Sequence, residues 1–587
     1  MKLKIGIFFG GPSREREISF AGGRTVYDNL NRRLFEPVPI FVDSAQNWVL
    51  LDWQYLYKGT IRDFYPPVDT LPSSPHDFQI YAESLALADT DAQQALLAQI
   101  GQPLRKQDIG QYIDLAFLAL HGEYGEDGQL QYELEKLGIP YTGSGVEACR
   151  IGMDKALQKE LMLEKGFACP KVEVITRSAW VQADVNALYE KAKADIGFPL
   201  VIRPANQGSS IGVSIIDAET GLAGFETAVN QAFFRQLLTL EDWQQKNPAQ
   251  RVAYVRQLSD IRAGLGFPLH LTLGSERQTI YHPEDLLTYL NEATESAAYL
   301  SQYVIIEGQH SEERVILEAF IRGKEFSCIV LRDEAGAALA LPPTEIVKGG
   351  EVFDYRSKYM PGLSRKETPI KLAAEKIHAI RKECERLFDE LGFHVYARID
   401  GFYAEDGQIY LNDPNTTSGM LPSSFFFHQA AEIGLNPSQF LTFIIRQSLW
   451  ERLREQPGQT HWMSMLTQLD ERIRHIHTTK AGTRTIGVIL GGYSFERHIS
   501  VESGRNVYEK LSGHERYEPI PIFLTGQDDH HLLYQLPINL LLKDNADDIR
   551  DKIANWQSHP VLDEIRQAAQ ALTSKYAAKE VVFAPQP

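Results

Sequence analysis

IGIFFGGPSREREISFAGGRTVYDNL (residues 5–30) begins as an apolar strand, breaks at Gly10-Gly11-Pro12-Ser13, and continues with Ile18, Val26 and Leu30 at helical spacing. Strand, glycine-rich turn, helix is how an α/β layer starts. The same pattern returns near the other end of the chain as IGVILGGYSFERHISVESGRNVYEKL (486–511), with 14 of 26 positions identical and no gap. A shared fold class does not give that level of identity, so this is an internal repeat. Glu36-Pro37-Val38-Pro39-Ile40-Phe41 likewise comes back as Glu518-Pro519-Ile520-Pro521-Ile522-Phe523. The chain ends on a second copy of the start of its own first lobe.

Working outward from the first copy, a second strand is expected at 39–42 and a third at 113–120. The third is almost wholly apolar, as a strand buried on both faces should be. It runs directly into His121-Gly122-Glu123-Tyr124-Gly125-Glu126-Asp127-Gly128, at the strand end where α/β proteins place ligand contacts. Residues 44–108 read as an irregular, partly helical insertion. From Gly197 the pattern changes to short strands, at 200–204 and 213–216, around the polar loop Asn206-Gln207-Gly208-Ser209-Ser210-Ile211-Gly212. Residues 226–306 interrupt this region. Two helices are expected inside the interruption, starting at Asn247-Pro248 and His282-Pro283, because proline suits the first helical position. Strand character resumes at 314–320, and a last helix runs through 440–453.

These elements divide the chain into an N-terminal parallel α/β lobe (1–145), a central lobe (146–330) with the 226–306 insertion, and a strand-rich C-terminal lobe (331–453). A polar linker (454–483) and the partial repeat (484–587) follow. The class is α/β with α+β. The core is complete by Leu453 on this reading, so a fragment ending near residue 480 is expected to fold and to keep most of its activity.

Bulk properties narrow the function. The 587 residues are 43% hydrophobic and 23% charged, a core-forming rather than disordered composition. Net charge is −18 with no basic block, which argues against a nucleic-acid binder. Cys149, Cys169, Cys328 and Cys384 include no Cys-x-x-Cys pair and are expected as free thiols in a reducing compartment. No apolar run reaches transmembrane length, and glycines break the N-terminal apolar stretch too early for a signal peptide. A cytoplasmic location is expected.

Several stretches suit phosphate and metal chemistry. The 208–212 loop can turn backbone N–H groups toward a phosphate, although such a stretch is more often only a turn. Asp400 and Asp413-Pro414-Asn415 offer two carboxylates and an amide oxygen at the ends of neighbouring strands, a donor set for a hard cation such as Mg²⁺. Arg398 precedes Asp400 by two residues and therefore shares its strand face.

In order along the chain, these pieces resemble the D-alanine–D-alanine ligases of the ATP-grasp superfamily. GGPSREREIS (10–19) is similar to the family's first substrate loop. LHGEYGEDG (120–128), PYTGSG (140–145) and MDK (153–155) follow in its order. PANQGSSIGV (204–213) resembles its phosphate-covering loop, EAFIRGKEFS (318–327) its adenine strand, and DYRSKYM (354–360) its closing lid. ARID (397–400) and DPNTTSGM (413–420) resemble its metal site.

The resemblance implies ATP-dependent joining of two D-alanines through a D-alanyl phosphate, for peptidoglycan precursors. It implies that Glu15 binds the amino group of the first D-alanine, in a triad with Ser209 and Tyr359, and that His121 and Glu126 line the same pocket. Lys155, Arg203, Ser210 and Lys358 would hold ATP phosphates, and Glu318, Phe320, Ile321 and Glu325 would surround the adenosine. Asp400, Asp413 and Asn415 would bind two Mg²⁺ ions, with Mn²⁺ as an alternative. Arg398 and the Gly419 N–H would stabilise the oxyanion, and Ser424 would bind the second carboxylate. The implied partners are ATP and D-alanine, with no nucleic acid and no membrane; a homodimer is open.

The sequence departs from the family's pattern at three places. Arg203 stands for a usual lysine, Asp413 for a usual glutamate, and Asn412 for an apolar residue beside the adenine. Two other readings stay open: a ligase with a different acceptor, and a non-catalytic nucleotide-binding regulator. The second sits poorly with a chain that retains Lys155, Arg398 and Asp400.

Overall fold

The computed structural model describes all residues except 1, 87–89, 296–302, 349–363, 423, 479–482, 528, 544 and 578–580. Leu3–Gly10 pairs in parallel with Phe35–Val42 on one side and Leu115–Leu118 on the other. Ile5, Ile7 and Phe9 point to one face and Phe8 to the other, and all four are buried. At the strand end Gly10 takes φ +95°, and a side chain there would meet the Val42 carbonyl oxygen at 2.4 Å. The chain then turns into the helix Arg16–Asn29.

The first lobe differs from expectation in one respect. Residues 44–108 contain Trp48–Leu51 and Gly101–Leu104, which extend the sheet antiparallel. The sheet is therefore mixed: Phe35–Val42, Leu3–Gly10 and Leu115–Leu118 run parallel at one end and the two added strands run antiparallel at the other. Trp48 explains the gain: it is buried edge-on against Phe8 and its indole N–H donates to Tyr124 Oη.

Two antiparallel sheets face the central cleft. One runs Val172–Thr176, Arg314–Ala319, Leu200–Pro204, Ser214–Ile216; the other is built around Gly323–Arg332, Tyr396–Ala404 and Ile409–Asn415. The interruption is smaller than 226–306. Helix Gly221–Ala232 buries Phe225, Ala228 and Val229 in the central lobe's own core. The inserted unit is entered at Arg235–Thr239 and left at Tyr303–Gly308, strands that pair with each other. Its helices begin at Asn247 and His282, each capping the turn ahead of a proline. They cover a four-stranded sheet that the sequence pattern did not reveal.

The polar linker is also corrected. Helix Pro437–Glu455 is followed by a second helix, Thr460–Thr478, whose Trp462, Met465, Leu469 and Ile473 are buried in the core. The repeat forms its own sheet, Arg484–Gly491, Tyr517–Gln527 and His530–Gln535, with the same parallel-then-antiparallel order as the first copy. It is not a separate appendage. Helices Pro560–Ala568 and Gln570–Tyr576 place Val561, Ile565, Leu572 and Tyr576 in the same core as the strand-rich lobe 331–453. The core is therefore not complete by Leu453, which counts against the expectation that a fragment ending near residue 480 stands alone. That cut exposes these contacts and removes the cations that meet buried Glu432: Lys543 at 2.9 Å and Arg566 at 3.4 Å.

Candidate active site

Glu15 sits at the N-cap of helix Arg16–Asn29, where the sharp turn after Gly10 aims it at the central cleft. Ser209 Oγ donates to its Oε1 across 194 residues of sequence. Ser209 (φ 50°) and Ser210 (φ 59°) both hold the left-handed backbone, a strained conformation that needs surrounding support. Gly208 is required beside them, because a side chain there would collide with the Glu15 carboxylate at 2.3 Å.

His121 and Glu126 come from the loop after Leu115–Leu118, with His121 Nδ1 3.5 Å from Glu126 Oε1. Glu126 Oε2 also accepts the Gly122 N–H at 2.6 Å. Burial opposes the charged imidazole, but the carboxylates of Glu126 and Glu15 outweigh it and hold the His121 pKa above its usual value. Burial raises the Glu15 carboxyl, with Glu126 adding to the rise.

Asp400 and Asp413 are register partners on paired strands, and Asn415 is paired with Arg398. Arg398 Nη2 donates to Asp400 Oδ2 at 3.0 Å. Asp400 Oδ1 is buried and accepts no hydrogen bond from the described residues. Lys155 Nζ lies 3.2 Å from Asp413 Oδ1. Among the described residues no group of three or more His, Cys, Asp or Glu is placed to hold a metal. Two carboxylates and an amide still fit an ion that completes its shell with phosphate and water oxygens.

Two adjoining cavities share Glu325, Asp400 and Asp413. One, about 100 Å³, is lined by Glu15, His121, Glu126, Arg398, Gly419 and Ser424. The other, about 210 Å³, is lined by Lys155, Arg203, Ser210, Glu318, Phe320 and Ile321. Ser424 stands at the N-cap position of helix Phe425–Glu432 without capping it, and its hydroxyl has no hydrogen-bond partner among the described residues. Tyr359 and Lys358 lie outside the described residues.

Sequence reading missed Lys159. It is one helical turn past Lys155, which was the available signal. Its Nζ donates to Asn412 Oδ1 at 2.8 Å and lies 3.4 Å from Glu318 Oε2. Arg203 meets the same two residues, Glu318 Oε1 at 2.8 Å and Asn412 Oδ1 at 3.2 Å. Burial would raise the Glu318 carboxyl, but the two cations hold it below the usual range. Two of the departures thus answer each other, since Asn412 supplies an acceptor for the forked guanidinium of Arg203.

Arg14 was also missed. It reaches into the inserted unit, donates to the carbonyls of Ile261 (2.7 Å) and Gly264 (3.4 Å), and stacks on Phe234 at 3.9 Å.

Comparison with known proteins agrees with this layout. The model "D-ala D-ala ligase N-terminus" matches residues 4–144 and again 485–584. The model "D-ala D-ala ligase C-terminus" matches 161–242 and 292–446, skipping much of the inserted unit. A D-alanine–D-alanine ligase of Geobacillus kaustophilus is 25% identical over 426 residues, 73% of this chain and 89% of the relative. One from Bacillus cytotoxicus is 26% identical over 454 residues, 77% and 97% of the two chains. A solved D-alanine–D-alanine ligase from Coxiella burnetii aligns over 79% of this chain and 99% of its own, at 18% identity and a TM-score of 0.49. With both halves of the family pattern present in order, and the first half present twice, the chain belongs to the D-alanine–D-alanine ligase family.

Proposed function

We infer that the chain joins two D-alanine molecules at the expense of ATP, yielding D-alanyl-D-alanine, ADP and phosphate for peptidoglycan precursors in the cytoplasm. The observation that carries this reading is a pair of adjoining cavities with the acidic strand ends between them. One has anchoring groups for two small amino acids; the other has two cations, Lys155 and Arg203, for a polyphosphate.

Glu15 holds the ammonium of the first D-alanine, with Ser209 fixing its carboxylate. The carboxylate of that D-alanine attacks the γ-phosphorus of ATP, ADP leaves, and D-alanyl phosphate forms. Such a transfer needs alignment and charge neutralisation rather than a protein nucleophile. Lys155 and Arg203 hold the phosphates, with Ser210 at the loop above them. Glu318, Phe320, Ile321 and Glu325 take the adenosine. Asp400, Asp413 and Asn415 would hold Mg²⁺ (or Mn²⁺), which neutralises phosphate charge when bound. Ser424 takes the carboxylate of the second D-alanine, whose amine then attacks the acyl carbonyl. The developing oxyanion faces the Arg398 guanidinium and the Gly419 N–H, and the carbon–oxygen bond to phosphate breaks as it collapses. No helix among the described residues is long and apolar enough to cross a membrane.

The test is phosphate release from ATP with and without D-alanine, with the dipeptide identified. Release that ignores D-alanine would sink the substrate assignment.

A further inference from the structure

The two copies of the repeat touch each other, and they do so at equivalent positions. Over residues 5–30, residue n of the first copy aligns with n + 481 of the second, so Asp28 corresponds to Glu509 and Asn29 to Lys510. Helices Arg16–Asn29 and Arg497–Ser512 lie side by side. Asp28 Oδ2 meets Lys510 Nζ at 3.6 Å, and Asn29 Nδ2 meets Glu509 Oε2 at 3.5 Å. Under the alignment these are one contact read in both directions. Beside them Arg32 donates its N–H to the Gly513 carbonyl at 2.8 Å. Thr25 and its counterpart Asn506 line the same small cavity between the helices, about 110 Å³.

Contacts in which i meets j and j meets i define an isologous, two-fold interface. Random packing of two homologous lobes does not produce it. The contact is also well fitted: Asn29 is 1% and Glu509 5% exposed, and a Cβ on Gly513 would stand 2.9 Å from the Leu30 carbonyl oxygen.

We propose that residues 484–587 act as a tethered second protomer: across an approximate two-fold axis the repeat occupies the face by which the first lobe would bind a copy of itself. Three features of the chain then follow from one cause. The proposal requires the chain to be a monomer, because its self-association face is filled from within. The repeat carries no chemistry, because only its surface is used. The helix that begins at Glu15 is held along its far end by its own duplicate. The inference stands apart from the ligase reading, since its tests do not read activity.

Sedimentation of the whole chain across the micromolar range is expected to give one species at the 66.3 kDa of the monomer, and a dimer would overturn the proposal. Gly513→Leu, which wedges the contact against Leu30, is expected to raise amide hydrogen exchange by about tenfold in both helices together. A rise confined to 497–512 would show that the first lobe does not depend on the contact, and would also overturn it. If the leucine variant does not fold, Asp28→Lys and Lys510→Asp serve instead. Each alone should raise exchange in both helices and the pair should restore it; a double variant no better than the singles would sink the idea.

Discussion

Residues 10–19 and 491–500 are the same loop built twice. In both, a glycine N–H donates to a serine hydroxyl nine residues on, Gly10 to Ser19 at 3.0 Å and Gly491 to Ser500 at 3.1 Å. Both helices start after a glutamate with nearly the same backbone, φ −97°, ψ 12° at Glu15 and φ −89°, ψ 8° at Glu496. Their surroundings are opposite. Glu15 is buried against Ser209, while Glu496 is exposed. Arg14 is gripped by carbonyls of the inserted unit, whereas Phe495 at the equivalent place is 98% exposed. Local sequence is sufficient to shape the loop. A site arises only where the other lobes close over it.

The largest expected effects test that contrast directly. Asp400→Asn should abolish divalent-supported turnover and weaken Mn²⁺ binding measured by paramagnetic resonance, whereas Asp413→Glu should be tolerated. Unchanged Mn²⁺ binding in Asp400→Asn would remove the metal role. Glu15→Gln should lower kcat/KM for D-alanine by roughly 100-fold, the scale of a buried charged hydrogen bond. Glu496→Gln should leave it unaltered, and a comparable loss there would mean that the repeat is a working site.

A middle-sized effect belongs to the neighbouring position. Arg14→Ala should raise KM for D-alanine by about tenfold with a smaller change in kcat, since it loosens Glu15 without touching the reacting atoms. Phe495→Ala should do nothing to either constant. Equal falls in kcat for the two variants would end the distinction between clamped and open loops.

On the far side of the repeat, Arg566→Met should cost about 2–4 kcal/mol in unfolding free energy, because it leaves Glu432 buried with one cation fewer. A change within error in denaturant titration would show that the repeat is not integral to the catalytic lobe.

The smallest effect is a pH dependence. Burial raises the Glu509 carboxyl to about 7, with Asp28 adding to the rise and Asn29 and Arg505 opposing it. The folded state therefore prefers the protonated form. That contribution is full below the ordinary value of 4.5 and is lost as pH rises through about 7. Glu509→Gln should have a larger unfolding free energy than the parent near pH 8, by roughly 1–3 kcal/mol, and the gap should close near pH 5. A gap that widens on acidification would contradict this assignment.

What the sequence determined by itself was local or repeated. The strand, turn and helix of 5–30, their return at 486–511, the proline-started helices at 248 and 283, and the order of the motifs all depend on spacing within a few residues or on self-comparison. Tertiary structure decided the rest. The polar stretch after Leu453 became a buried helix only because the catalytic lobe and the repeat supply partners for Trp462 and Leu469. The inserted unit gained a sheet because Arg235–Thr239 found Tyr303–Gly308 across more than sixty residues of chain. Asn412 read only as a departure from an apolar position until Lys159 and Arg203 were seen to converge on it, from positions 253 and 209 residues away. Backbone pairing and charge neutralisation act through space, and a periodicity along the chain carries no record of which distant partner will answer a given group.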